Sequence, residues 1–351
     1  MRSTHTPPWR AVLPVAALAI ALVATGCAKS STTAGQTHGI PAGQVKVALV
    51  PGGPHPYFQP WKAAAQQAKT DFSLGGITFN ETSGWDQTTQ NSVLTSLEAQ
   101  GYNAFGVFGV SPDNINSTFS KIKHDGFPTA SLGSCPAGNT DDADFCLATD
   151  VQQAAYKAAE IAIQAMGGSG NLVHLTGDKT DSNTARRIAG VQQAVDETHG
   201  KVKLIQTITD IDTDLQTAQK AVADLLAAKG TQINAIVNTA DNPAIASAAA
   251  VKQAGLPIKV VAIDDDPTVI ADIKAGTVTA TIAQNPVGQA YDGAYALMKL
   301  AGGCTMKTPG LVIDSGSFEV TQADVDTYDT QRQAMTKQIK TDFDTKYLSC
   351  K

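Results

Sequence analysis

From residue 45 onward, short apolar runs alternate with longer stretches in which apolar positions recur every three or four residues. Residues 45–50 (VKVALV) read as a strand, 57–72 as a helix, 77–81 as a strand and 87–100 as a helix. Residues 104–110 (AFGVFGV) read as a buried strand, 112–125 as a helix and 128–132 as a strand. After a segment holding two cysteines the alternation restarts with helix 151–166, strand 171–175, helix 182–198, strand 202–208, helix 213–229 and strand 233–237. It continues with helix 242–254, strand 258–263, helix 267–275, strand 278–283 and helix 287–301, and closes on a helical stretch over 321–346. Periods of two and 3.6 in alternation predict an α/β fold with parallel sheets covered by helices and joined by right-handed crossovers. The break near 133–148 divides the series into two similar halves, so two doubly wound lobes are expected.

In open parallel sheets, ligands bind beyond the carboxyl ends of the strands. The residues to inspect are therefore those just after each apolar run: 51–58, 83–87, Ser111, 133–134, 176–181, 210–212, 239–242, 264–266 and 284–285. These loops are rich in carboxylates, amides and aromatics. Carboxylates accept hydrogen bonds from adjacent hydroxyls, amides both donate and accept, and aromatic faces cover C–H surfaces. Such a mixture suits a small polyhydroxylated ligand.

The first residues change the picture of where the chain works. Arg2 and Arg10 form a positive region before a short apolar stretch, 11–24, which is followed by Thr25-Gly26-Cys27. The stretch is shorter than a membrane span of about 20 residues and reads as an export signal. Small residues before Cys27 are similar to a bacterial lipobox, although Ala24 stands where Leu is usual, and ordinary cleavage with Cys27 incidental is the alternative. Residues 28–44 are small and polar, as a flexible tether is. Lipidated Cys27 would place the protein on the outer face of the cell membrane. The remaining cysteines, Cys135, Cys146, Cys304 and Cys350, form an even set, which in an exported protein reads as disulfides. Of three pairings, Cys135–Cys146 with Cys304–Cys350 is favoured because local loops close at low entropic cost. There is no Cys/His cluster, so neither metal nor other cofactor is expected. The 351 residues carry a net charge of −6 with no basic block, which excludes nucleic acid as a partner. GxSxG, HExxH and Walker sequences are absent, and Gly168-Ser169-Gly170 precedes a strand instead of following one. No enzyme is expected.

Four segments, 45–61 (VKVALVPGGPHPYFQPW), 147–162 (LATDVQQAAYKAAEIA), 260–267 (VVAIDDDP) and 279–290 (TATIAQNPVGQA), resemble periplasmic sugar-binding proteins of the ribose-binding type. The resemblance covers nearly all of 45–313 and implies a clamshell: two lobes joined by three hinge crossings, with the ligand between them. The implied organisation is signal 1–27, tether 28–44, a first lobe of 45–146 plus 285–313, and a second lobe of 147–284 plus 314–351. It implies a monomeric receptor that delivers a sugar or sugar alcohol to an ABC permease. A receptor feeding a membrane sensor, or one for a non-carbohydrate solute, is the alternative on the same fold.

On this resemblance Tyr57 and Phe58 fall on the family's stacking aromatics and His55 on a polar ligand contact. Asp264 matches the acidic hydroxyl acceptor, Gln284 the hinge-side amide, and Arg186 or Arg187 the second-lobe arginine. Three positions depart: Gly133-Ser134 replaces an Asp-Arg pair, Ala240 an Asn (with Asp241 kept beside it), and Ile211 a stacking Phe. Losing that clamp argues against ribose and for a shorter or acyclic polyol. Trp85, Asp86, Gln87, Asp178, Asn183 and Asp241 complete the candidates. For each a bland reading competes: Asp265, Asp266, Asp210 and Asp212 read as helix caps, Trp61 shares a helix face with Tyr57 and so reads as core or cleft, and His174, inside a strand, reads as core.

Overall fold

The computed structural model describes residues 39–138 and 142–350. Strands β1 (Lys46–Val50), β2 (Gly76–Phe79), β3 (Ala104–Val107), β4 (Thr129–Leu132) and β5 (Phe145–Ala148) belong to one sheet. A second sheet holds β6 (Gly170–Leu175), β7 (Val202–Ile208), β8 (Ala235–Asn238), β9 (Lys259–Ile263) and β10 (Ala280–Gln284). β11 (Thr305–Met306) leads to β12 (Leu311–Asp314) and β13 (Ser317–Val320), and β14 (Leu348–Ser349) ends the series. The first sheet runs β12-β5-β4-β3-β1-β2, parallel throughout. The second runs β13-β10-β9-β8-β6-β7, parallel except for β13. The central strands are buried along their length, as expected for sheets covered on both faces.

The helices are α1 (Gln59–Asp71), α2 (Gln87–Ala99), α3 (Ile115–His124), α4 (Val151–Ala165), α5 (Ser182–Asp196), α6 (Leu215–Lys229), α7 (Asp241–Ala254), α8 (Pro267–Lys274), α9 (Pro286–Ala301) and α10 (Tyr328–Asp342). Carboxylates start many of them: Asp86, Asp150, Asp181, Asp214 and Asp266 each accept a backbone N–H of the first turn. Helix α4 lies so close to α5 that a Cβ on Gly190 would meet the Gln152 carbonyl at 2.2 Å. Only glycine allows that approach.

The alternating strands and helices hold at nearly every predicted position, with ends shifted by a few residues. The pattern missed β5 and β11 to β14, which are two to four residues long. It also began the last helix too early: residues 322–327 form turns, with the Thr321 N–H and hydroxyl donating to Asp324, and the helix starts only at Tyr328. The strands cross between the sheets at 148–151, 284–286 and 314–317. Residues 314–351, expected with the second lobe, are in fact divided. β13 completes the second sheet, whereas Ile339, Phe343 and Leu348 pack into the first lobe's core and β14 pairs with β11. Apolar periodicity alone does not say which core a terminal helix joins. Helix α10 thus spans both lobes: Tyr328 and Arg332 grip Asp265 of the second lobe, and Thr336 donates to Asn285 at the hinge. Disulfides join Cys135 to Cys146 and Cys304 to Cys350, the favoured pairing. At the other end of the described chain, the Ile40 N–H donates to the Ala301 carbonyl at 2.8 Å. Cys27 and residues 28–38 of the expected tether lie outside the described residues, whereas 39–44, also expected in the tether, belong to the folded body: Ala42–Gln44 form a 3-10 turn whose Ala42 carbonyl accepts from the Gly75 N–H. Among the described residues no helix is long and apolar enough to cross a membrane.

Candidate functional site

The carboxyl ends of both sheets face one another across a cavity of about 100 Å³. Its first-lobe wall comes from the loops after β1 to β4 and is apolar: Tyr57, Phe58, Trp85, Phe108, Val110 and Gly133, with His55 at the rim. Phe58 sets the frame, with ring centroids 5.1 Å from Trp61 and Phe108 and 6.1 Å from Trp85. Trp85 lies flat against the backbone of Gly52 and Gly53, where a Cβ would come within 2.6–2.7 Å of the indole. Those two glycines are what let the ring reach the cleft. Tyr57 donates to Gln289 at 2.8 Å, which fixes its ring from the α9 side.

Among the described residues, the second lobe offers no aromatic to the cavity. It supplies Asp178, Asp181, Asn183, Arg187, Asp212, Thr213, Ala240, Asp241 and Asp264, and Gln284 closes the hinge side. Asp264 directly follows β9 with φ 77°, an unusual backbone for a residue with a side chain. Strand β10 holds it there: its N–H donates to the Ile282 carbonyl, its carbonyl accepts from Thr281, and Gln284 Nε2 donates to Oδ1 at 2.6 Å. A strained residue held by three bonds at a cavity wall is a mark of a functional position.

The lobes meet around this cavity. Asn183 Nδ2 donates to the Gly133 carbonyl at 3.0 Å, and Ser134 Oγ lies 3.4 Å from Asp181. His55 Nε2 is 3.1 Å from Asp212 Oδ2. Gly133-Ser134, which replaced the family's charged pair, therefore touches the second lobe through a carbonyl and a hydroxyl.

Five carboxylates and one guanidinium line the second-lobe wall, and the electrostatics follow from that imbalance. Burial pushes Asp264 up to about 6, against the pull of Arg187 and the Gln284 amide. Asp241 is raised well above the ordinary carboxylate range by burial and by Asp264 and Asp212 nearby. Burial also raises Asp181, with Arg187 opposing. Two buried polar atoms of the wall, Arg187 Nε and Asp241 Oδ2, have no hydrogen-bond partner among the described residues. Such atoms cost about 1–3 kcal/mol each until something pairs with them.

Residues 47–304 match the family described as periplasmic binding protein domain. The chain belongs to this family. A xylitol-binding protein of Mycolicibacterium smegmatis is 25% identical to it over 224 residues, 64% of this chain and 63% of that protein. The match thus spans less than two thirds of that relative. An ABC-transporter solute-binding protein of Burkholderia graminis, solved with D-arabinose, shares 21% identity at a TM-score of 0.74 and covers 82% of this chain and 98% of its own. A counterpart from Bacillus halodurans, solved with myo-inositol, shares 17% identity at a TM-score of 0.73 over 83% and 99%. These likenesses show the fold, two α/β lobes of the type I clamshell.

Of the binding protein's expected site residues, the cavity gathers His55, Tyr57, Phe58, Trp85, Asp178, Asn183, Arg187, Asp241, Asp264 and Gln284. Three stand apart. Asp86 is exposed and caps α2, accepting from the Thr89 N–H at 2.7 Å. Gln87 points along α2 to Asn91 and accepts from the Ser111 N–H. Arg186 pairs with Asp150 at 2.9 Å away from the cavity, so that of the two arginines Arg187 is the one lining it. Trp61 is fully buried in the first core, and His174 is buried in the second sheet, donating to or accepting from Thr239 at 2.8 Å. Burial and then Arg187 push His174 down to about 3, so it stays neutral. Ile211, in the place of a stacking Phe, is buried in the second core. Sequence reasoning missed Phe108 because it sits inside an apolar run and looks like strand interior. It missed Asp212 by reading it as a helix cap. The cap of α6 is Asp214, which frees Asp212 to face His55.

Proposed function

We propose that this binding protein is the extracytoplasmic capture component of an ABC importer, and that it closes on one small sugar or sugar alcohol. The observation that carries this is the asymmetric cavity: an aromatic wall for C–H surface against a wall of carboxylate, amide and guanidinium groups for hydroxyls. Its volume corresponds to roughly seven water-sized bodies, which favours a monosaccharide-sized or smaller ligand. A second wall of aromatic rings, which would sandwich a pyranose, is missing, and this favours an acyclic polyol. The relative that binds xylitol and the neighbours solved with D-arabinose and myo-inositol support the same class. The excess of carboxylates disfavours anionic ligands. Cys27 carries the lipid that tethers a monomeric receptor to the membrane in this reading, and a Cys27→Ser variant is expected to leave the membrane fraction for the medium.

The deciding experiment is a thermal-shift screen of sugars, sugar alcohols, amino acids and amines. A ligand at a thousandfold excess over its dissociation constant stabilises the folded form by about 4 kcal/mol. A hit among pentitols, tetritols or pentoses supports the reading. The carboxylate excess also favours a second class, a small organic cation seated against the aromatic wall. A hit confined to amines would replace the first reading with that one.

A further inference from the structure

His55 lines the cleft, yet both of its ring nitrogens are engaged within the protein. Nδ1 accepts from the Tyr57 N–H at 3.2 Å, so in the neutral ring Nε2 carries the proton and donates to Asp212 Oδ2 at 3.1 Å. The two side chains are 8% and 16% exposed. Asp212 is itself held in place: the Asn242 N–H donates to its Oδ1 at 3.0 Å, and Asn242 Nδ2 to its carbonyl at 2.7 Å. One partner belongs to the first lobe and the other to the second. The bond exists only while the lobes are together.

We propose that His55 and Asp212 form a latch across the cleft, and that Asp212 is a positioning residue that sets how fast the closed binding protein releases its ligand. The latch rests on the closing-lobe reading but not on which solute is bound. A buried hydrogen bond with a charged partner contributes far more than an exposed one, and contacts made after encounter act mainly on the rate of dissociation.

The groups facing the imidazole make the latch proton-linked. Burial works to lower His55, but the Asp212 carboxylate outweighs it, helped by Asp264 and opposed by Arg187, so the closed ring is held above its ordinary value. A second proton, taken from solvent, must sit on Nδ1, which then no longer accepts from the Tyr57 N–H and instead faces Asp241 Oδ2, 3.8 Å away and without another hydrogen-bond partner among the described residues. The sign follows: closure takes up a proton above the ordinary imidazole range. Binding is tightest below that range and weakens as pH rises through the higher closed-state value.

The test uses the full chain with xylitol, D-arabinose and myo-inositol as probes. Release is read by stopped-flow from Trp85, whose ring centre is 5.9 Å from that of His55, and proton uptake by calorimetry in two buffers. Asp212→Asn is expected to speed release about 10- to 100-fold, by the same factor for every probe that binds, and to reduce proton uptake near pH 7.5. His55→Gln is expected to do the same. Unchanged release, or losses that differ more than about tenfold between probes, would overturn the latch and make these residues ligand contacts. If no probe binds, the sugar reading fails and the latch is judged on ligand-free protein by small-angle scattering. The variant must then be the more expanded form at pH 6; equal scattering of variant and wild type overturns the proposal.

Discussion

The two walls of the cleft are built on opposite principles. The first lobe presents rings that are also core: Phe58 is 1% exposed and packs on Trp61, which belongs entirely to the hydrophobic interior. The second lobe presents charges set just outside its core, on the loops after its strands and on the first two turns of α5 and α7. A change to the first wall therefore strikes folding and binding together, whereas a change to the second strikes binding alone or even relieves the fold. Recognition by rings is tied to stability here, and recognition by carboxylates is opposed to it.

The largest effect is expected on the first side. Phe58→Ala removes a ring that holds Trp85 and Phe108 in place and should cost about 3–5 kcal/mol of unfolding free energy, measured by urea denaturation without ligand. A loss under about 1 kcal/mol would show the ring to be a cleft residue only, and the comparison would break.

Next comes Asp264→Asn. An amide tolerates the left-handed backbone at this position but no longer offers a charged acceptor, so ligand binding should weaken by about 1.5–3 kcal/mol. Ligand-free stability should not fall. The wild-type carboxyl sits at about 6 against an ordinary 3.8. Its raised value contributes stability that is fully present below about pH 4 and is lost as pH rises through about 6, up to about 3 kcal/mol in all. Melts of the ligand-free protein from pH 4 to 7 should show that decline, and the Asn variant should be flatter. Parallel declines in both proteins would locate the titration elsewhere.

The smallest effect sharpens the picture within one helix. Arg186→Ala breaks an exposed pair with Asp150 and should change affinity by less than about twofold. Arg187→Ala, one residue on, removes the wall's guanidinium and should weaken binding severalfold or more. The reverse order would put the cleft on the other face of α5.

The same contrast explains what was legible in the sequence. Strand ends were legible because buried parallel strands are continuous apolar runs, and in such sheets the site lies beyond their carboxyl ends. The polar wall followed, because the loops beyond those strand ends are rich in carboxylates: Asp264, Asp241 and Asp178 all came into view this way. The aromatic wall was half hidden. Tyr57 and Phe58 stood out in a loop, but Phe108 shares its run with the last residues of β3, and nothing in composition separates a ring facing the cleft from one facing the sheet. Asp86 and Gln87 lie in the right loop on the wrong side, since the cap of α2 turns the first away and Asn91 and Ser111 hold the second. Asp212 and Asp214 are chemically identical two residues apart, and only the start of α6 decides which caps and which is free. The tail was illegible for a related reason: β11 and β14 have two residues each, and β12 and β13 alternate buried with exposed positions over four residues instead of forming a continuous buried run.

Residues 39–40 lie against Ala301, and Cys350 is bonded to Cys304, three residues further along. Both ends of the described chain therefore leave the molecule from the first lobe, side by side, while the second lobe is a long excursion that carries neither. For anyone who would turn this protein into an optical sensor, that fixes where the fluorophores go. A donor and an acceptor fused to the two ends would ride on one rigid body and report the same energy transfer at every solute concentration. One of the two has to be inserted into an exposed second-lobe turn, such as the one at His199-Gly200, before hinge motion becomes a signal.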